Sequence, residues 1–186
     1  MNDNEYINFP VSLLQGFLVD HKAALIKIIH HNCDPSGTDN KKGHAGITKA
    51  TVRDFLTNPK TATDVAVLCA FLAIKSVVGQ RAYARITKDL LLCRMAGHNK
   101  PDAPLPKEVE QWGHRKRWDH IKKELKERYN VAIYTGRGLY FSTRLSLGDL
   151  AKCVKANQEN TKKARTAQKE KMEIDQALKD LQKGTP

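Results

Sequence analysis

Residues Arg115 to Ser142 read RKRWDHIKKELKERYNVAIYTGRGLYFS, and the fold turns on how that stretch divides. Trp118, Ile121, Leu125 and Tyr129 recur at steps of three and four, which places them on one face of a helix. Arg115, Lys116, Lys122, Lys123 and Lys126 fall on or beside the opposite face, so the spacing predicts a basic amphipathic helix over 115–129. The period then changes to two. Val131, Ile133, Leu139 and Phe141 alternate with Ala132, Tyr134, Tyr140 and Ser142, which is strand spacing. Gly136-Arg137-Gly138 separates the two runs. Its glycines are expected to supply the positive backbone angles of a tight hairpin and leave Arg137 at the tip.

The charge of the chain gathers around and after this stretch. The 186 residues carry 32 Lys+Arg against 20 Asp+Glu, a formal net charge of +12. Residues 1–114 hold 14 basic and 11 acidic side chains, whereas residues 115–186 hold 18 and 9. A positive field concentrated in this way attracts polyanions, nucleic acid foremost. The competing explanation is an ordinary solvated surface in which the lysines of 115–129 pair with Glu124 and Glu127.

Outward from it, the preceding residues read as helices. Phe9-Pro10 is expected to open a helix running to about His31, with Tyr6 and Ile7 docking on the core. Asn32 to Gly46 (NCDPSGTDNKKGHAG) reads as a mobile loop. Thr48 is placed to cap a short helix to about Leu56. Ala62 to Val78 is apolar on most sides and is predicted to be the central, buried helix, stopped by Gly79. Tyr83-Ala84-Arg85-Ile86 suits a small strand able to pair with the hairpin. Thr87 then caps a helix over 88–96. The proline-bearing segment 98–106 is a linker, followed by one or two helical turns over 107–112. From Leu147 onward a long helix is expected. Positions such as Leu150, Cys153, Ala164, Ala167, Ile174, Leu178 and Leu181 keep coiled-coil spacing, but the middle of the series is polar or small. Self-association into a homodimer and a solvated helix packed only at its ends both satisfy that pattern.

Laid end to end, residues 62–143 resemble the winged helix-turn-helix superfamily of DNA-binding domains in their order of elements, the TGRG turn and the basic helix. The resemblance implies that 88–96 supports a recognition helix at 115–129 and that Arg137 is the tip of the wing. The connection from Gly97 to Gly113 departs from it, being longer than the usual three- or four-residue turn. The fold class expected is mainly α: a winged-helix-like core of helices and a small β-hairpin, with an N-terminal helical region and a long C-terminal helix. Three segments follow: 1–60 with its loop at 32–46, a winged-helix-like domain at 61–148, and a basic helix at 149–186.

The candidate nucleic-acid-binding residues are Arg115, Lys116, Arg117, Lys122, Lys123, Lys126, Arg137 and Tyr140. An arginine fork can engage guanine O6 and N7 together, lysines suit phosphates, and Arg137 suits a narrowed minor groove. Tyr134 and Tyr140 lie on the outward strand parity, while Trp118 and Tyr129 read as core. DNA is the expected partner, with RNA or an acidic protein as the alternative. That alternative makes the chain an interaction or scaffold module.

No catalytic set is nominated. The chain has no Walker or dinucleotide-type glycine loop and no GxSxG or HExxH, and Asp89, Asp119 and Asp149 are scattered. The expectation is a protein that is not an enzyme and carries no cofactor. His30, His31, Cys33 and His44 lack the paired spacing of a structural zinc site, so no metal is expected. The four cysteines form no CxxC; Cys69 and Cys93 read as small core residues, and such usage suits a reducing compartment. With neither a signal-peptide pattern at the N-terminus nor an apolar run long enough to span a bilayer, a cytoplasmic protein without a membrane partner is expected.

Overall fold

The structure is a computed structural model that describes residues 5–33, 44–98, 100 and 103–183. It is mainly helical, with two small antiparallel sheets. Residues 1–146 and 147–186 form two compact units.

The first unit is built around α4 (Ala62–Val78), whose start and burial follow from its sequence. Thr61 Oγ1 accepts from Asp64 N–H while the Asp64 carboxylate accepts from Thr61 N–H, a capping box. Ala, Val, Leu and Ile then line nearly every side, and ten of its residues are buried. The helix ends where the Gly79 N–H bonds back to Lys75 O. Around α4 lie α1 (Leu14–Val19), α5 (Lys88–Met95) and α7 (Arg115–Tyr129). One continuous apolar core joins Phe9, Phe17, Leu25, Phe55, Leu68, Leu72, Leu91, Trp118, Ile121 and Phe141. Cys69 and Cys93 are buried in the helices as small core residues. The Cys69 thiol sits 3.7 Å from Leu14 O and 3.8 Å from Met95 O, and burial pushes its pKa far up.

The N-terminal segment departs from the sequence expectation. Tyr6–Pro10 is a strand, β1, paired antiparallel with β2 (His44–Thr48) in the register Tyr6↔Thr48 to Pro10↔His44. Pro10 has extended backbone angles and ends β1; a 3-10 turn, Val11–Leu13, follows before α1 begins. Asp20 then divides the expected single helix in two. Its backbone is extended, and its Oδ1 accepts from Ala23 N–H at 3.0 Å, capping α2 (His21–Cys33). The expected loop 32–46 is therefore shorter at both ends: Asn32 and Cys33 are helical and His44–Gly46 belong to β2, while 34–43 lie outside the described residues. Asn32 closes the free edge of β1, donating from Nδ2 to Asn8 O at 3.0 Å and accepting from Asn8 N–H at 3.2 Å. Ile7 packs partly on the core, but Tyr6 points outward, 68% exposed, with the Lys75 ammonium 5.4 Å from its ring centre. Thr48 caps α3 (Lys49–Thr57) as its sequence suggests.

The second half of the unit follows the expected order. β3 (Ala84–Arg85) comes before α5, which is capped by Thr87. The long connection to α7 holds α6 (Lys107–Glu110) and a 3-10 turn at Gln111–Gly113. That connection has core residues of its own, Val109 and Trp112. α7 ends at Asn130 in the left-handed conformation and leads directly into β4 (Ala132–Gly136) and β5 (Gly138–Ser142). The three strands form a sheet in the order β3-β5-β4. Ser142 stands on outward strand parity but is fully buried. Its hydroxyl donates to Ala82 O at 2.6 Å and accepts from the N–H groups of Arg144 and Leu145, pinning the end of β5 to the entry of β3.

The second unit is α8 (Leu147–Lys183). From Glu159 to Gln176 every side chain is exposed, and Lys169 and Glu173 pair at 3.6 Å along the helix. The side chains of Leu178 and Leu181 lie outside the described residues. Among the described residues no helix is long and apolar enough to cross a membrane.

Candidate nucleic-acid interface

Trp118, Ile121 and Leu125 anchor α7 in the core, and Tyr129 stacks on Phe71 with ring centres 4.5 Å apart. This fixes the opposite face toward solvent. Arg128 braces the helix from α4: its guanidinium bonds the Asp64 carboxylate, and its Nε lies 2.6 Å from Glu124. Asp64 is held down at about pKa 2, first by the Thr61 hydroxyl and then by Arg128, against the opposing effect of partial burial. Arg128 is thus a structural cation, although sequence alone cannot tell it from its neighbours.

The candidate residues on α7 divide by their partners. Arg117 folds back on the preceding turn, bonded to Gln111 Oε1 with its guanidinium 5.4 Å from the centre of the Trp112 ring. Lys122 pairs with Asp119 at 2.8 Å and lies 5.9 Å from the centre of the Trp118 ring. The Lys122 hydrogen bond holds the Asp119 carboxyl below its ordinary value, and the nearby Arg115 charge acts in the same direction. Lys123 stands a loose 4.0 Å from Glu127. Arg115, Lys116 and Lys126 are exposed and make no hydrogen bond or ion pair among the described residues. The first turn of α7 holds no acidic residue, and His114 at its N-cap makes no side-chain cap bond. Arg115, Lys116 and Arg117 thus crowd the positive end of the helix, where the macrodipole disfavours each by about 0.3–1 kcal/mol.

Arg137 and Tyr140 sit on the β4–β5 hairpin. Gly136 pairs with Gly138 and Arg137 alone forms the exposed tip. Only Gly138 takes a positive φ, +154°; Gly136 does not, so one glycine rather than two relaxes the turn. The absence of side chains serves a second purpose at both positions. A Cβ on Gly138 would overlap Nε of Arg85, and one on Gly136 would come within 3.0 Å of Cε1 of Tyr134. Arg85 and Tyr134 thus lie across the two glycines that flank Arg137. Cross-strand pairing sets Arg85 opposite Tyr140 and Tyr140 opposite Tyr134. Tyr83 adds a third ring, 6.2 Å from Tyr140. Arg85, Tyr83 and Tyr134 are additions to the candidate set. The signal for Arg85 is its parity in Tyr83-Ala84-Arg85-Ile86: Ala84 and Ile86 are buried, so Arg85 faces out.

Among the described residues no group of three or more His, Cys, Asp or Glu could hold a metal ion. The side chains of His31, Cys33 and His44 lie outside the described residues. No protein-family model, curated protein or solved structure matches the chain.

Proposed function

We propose that this is a non-enzymatic nucleic-acid-binding protein that engages duplex DNA through α7 and the β4–β5 hairpin, in transcriptional control or in the replication or maintenance of a mobile element. The element order α4, β3, α5, α6, α7, β4, β5 and the sheet order β3-β5-β4 support a winged-helix reading of the first unit. The observation that carries the proposal is the first turn of α7, where Arg115 and Lys116, both without an ion-pair partner among the described residues, stand at an end with no acidic residue and no capping side chain. A fold gains nothing from that arrangement, whereas an incoming phosphate would relieve both the charge and the open N–H groups. In this reading Lys126 and Arg137, both exposed, add to the phosphate-binding set, and Arg137 is the residue that would enter a groove. Fluorescence anisotropy with a mixed-sequence duplex tests the proposal. Micromolar or tighter binding is expected at low salt, weakening steeply as salt rises. An absence of binding at low salt overturns it.

A further inference from the structure

The three-stranded sheet has two unlike faces. Ala84, Phe141 and Ile133 form a cross-strand row that is buried in the core. The neighbouring row, Arg85, Tyr140 and Tyr134, runs across the outer face, and Tyr83 extends it. The rings of Tyr134 and Tyr140 are 6.4 Å apart and tilted by 40°; those of Tyr83 and Tyr140 meet at 66°. All three tyrosines are partly exposed. Arg85 and Arg137 bracket Gly138 beside them, and neither makes an ion pair among the described residues. The chain segments that build this face, Gln80–Lys88 and Val131–Ser146, contain five Lys and Arg residues and not one Asp or Glu.

We infer that this outer face is a stacking platform for the unpaired bases of a single-stranded nucleic-acid segment, an inference that rests on the nucleic-acid-binding reading above. The chemistry selects the ligand class by elimination. Clustered tyrosines can cage a quaternary ammonium, but two arginines among them repel a cation. An acidic peptide would use the arginines and leave the ring faces idle. A ligand that uses both must join anionic groups to flat aromatic faces at short intervals, as unpaired nucleotides do. In an intact duplex the bases stack on each other and hide their faces, so the platform can act only on a strand that is open or frayed. Tyr134 lies over Gly136 and Arg85 over Gly138, so the absence of a Cβ at both glycines leaves room for these side chains on the platform.

The test uses the full chain and four probes: a blunt duplex, the same duplex with an oligo-dT tail, free oligo-dT and free oligo-rU. The tailed duplex is expected to bind more tightly than the blunt one. 2-Aminopurine placed in the tail is expected to lose fluorescence as it stacks. Tyr134→Leu and Tyr140→Leu keep apolar bulk without the aromatic face. Each should lower affinity for the tail by about 5- to 150-fold, the range for losing one stacked base. Tyr→Phe at either position should restore most of it. Melting curves for each variant establish that it is folded. Comparison of dT with rU separates DNA from RNA as the source of the strand, and tyrosine-dependent binding of either supports the platform. If tailed and blunt duplexes bind alike, with no 2-aminopurine change and no effect of Tyr→Leu, the platform is refuted while duplex binding stands. If the single strands bind through the tyrosines and the blunt duplex does not bind, the platform stands and the duplex reading falls. If no probe binds at low salt, both fall.

Discussion

The salt dependence of duplex binding is set by how many cations the fold leaves free. Arg115, Lys116, Lys126 and Arg137 make no ion pair among the described residues, whereas Arg128 is committed to Asp64 and Glu124 and Arg117 to Gln111 and Trp112. If these four cations of α7 and the hairpin tip each neutralise one phosphate of a duplex, the slope of log K against log salt is about −3.6. Affinity then falls by about 150-fold between about 50 and about 200 mM salt. The triple variant Lys116→Ala/Lys126→Ala/Arg137→Ala leaves one such contact, with a slope of about −0.9 and a loss of only about 3- to 4-fold over the same range. Arg128→Ala removes the same kind of charge from the same helix but not a free one. It is expected to leave the slope unchanged and to lower the melting temperature. Anisotropy titrations of one duplex at four or five salt concentrations, run on the wild type and both variants, decide the matter. A slope that does not move in the triple variant, or that moves as much in Arg128→Ala, would show that the partner assignments on α7 do not govern binding.

Three further outcomes concern the scaffold. Asp64→Ala removes both the return bond of the α4 capping box and the partner of Arg128, at a cost of about 1–2 kcal/mol read by urea unfolding. Because the folded pKa of Asp64 is about 2, below the ordinary 3.8, its contribution is full above about pH 4 and is lost as pH falls toward 2; the difference between wild type and variant should shrink over that window. Ser142→Ala removes the shared partner of the Ala82 carbonyl and of the N–H groups of Arg144 and Leu145, and thermal unfolding should report a loss of about 0.5–1.5 kcal/mol. Gly138→Ala meets both a disfavoured φ and the Arg85 guanidinium, so it should destabilise the hairpin, which hydrogen exchange of the β4 and β5 amides would detect.

Much of the fold was legible because it obeys short-range rules. Thr87 and Thr48 cap the helices that follow them, the 3.6-residue period of 118–129 buries the face it indicates, and the change to period two marks β4 and β5. The strand β1 was not legible, since nothing in Tyr6–Pro10 announces a partner that arrives only at His44–Thr48. The break at Asp20 was readable in principle, because aspartate is a good N-cap, but the apolar periodicity on either side hid it.

The sequence by itself determined where positive charge accumulates, which residues form α3, α4, α5 and α7 and which strand parity carries Tyr134 and Tyr140, since charge, capping and periodicity are properties of neighbours along the chain. Only the tertiary structure decided which cations are spent on the fold and which share a surface with the tyrosines. Arg128 meets an aspartate 64 positions away, and Arg85 comes to rest on a glycine brought to it by the pairing of β3 with β5. An ion pair or a shared surface depends on distance in space, which the linear order of Arg115 to Ser142 does not contain.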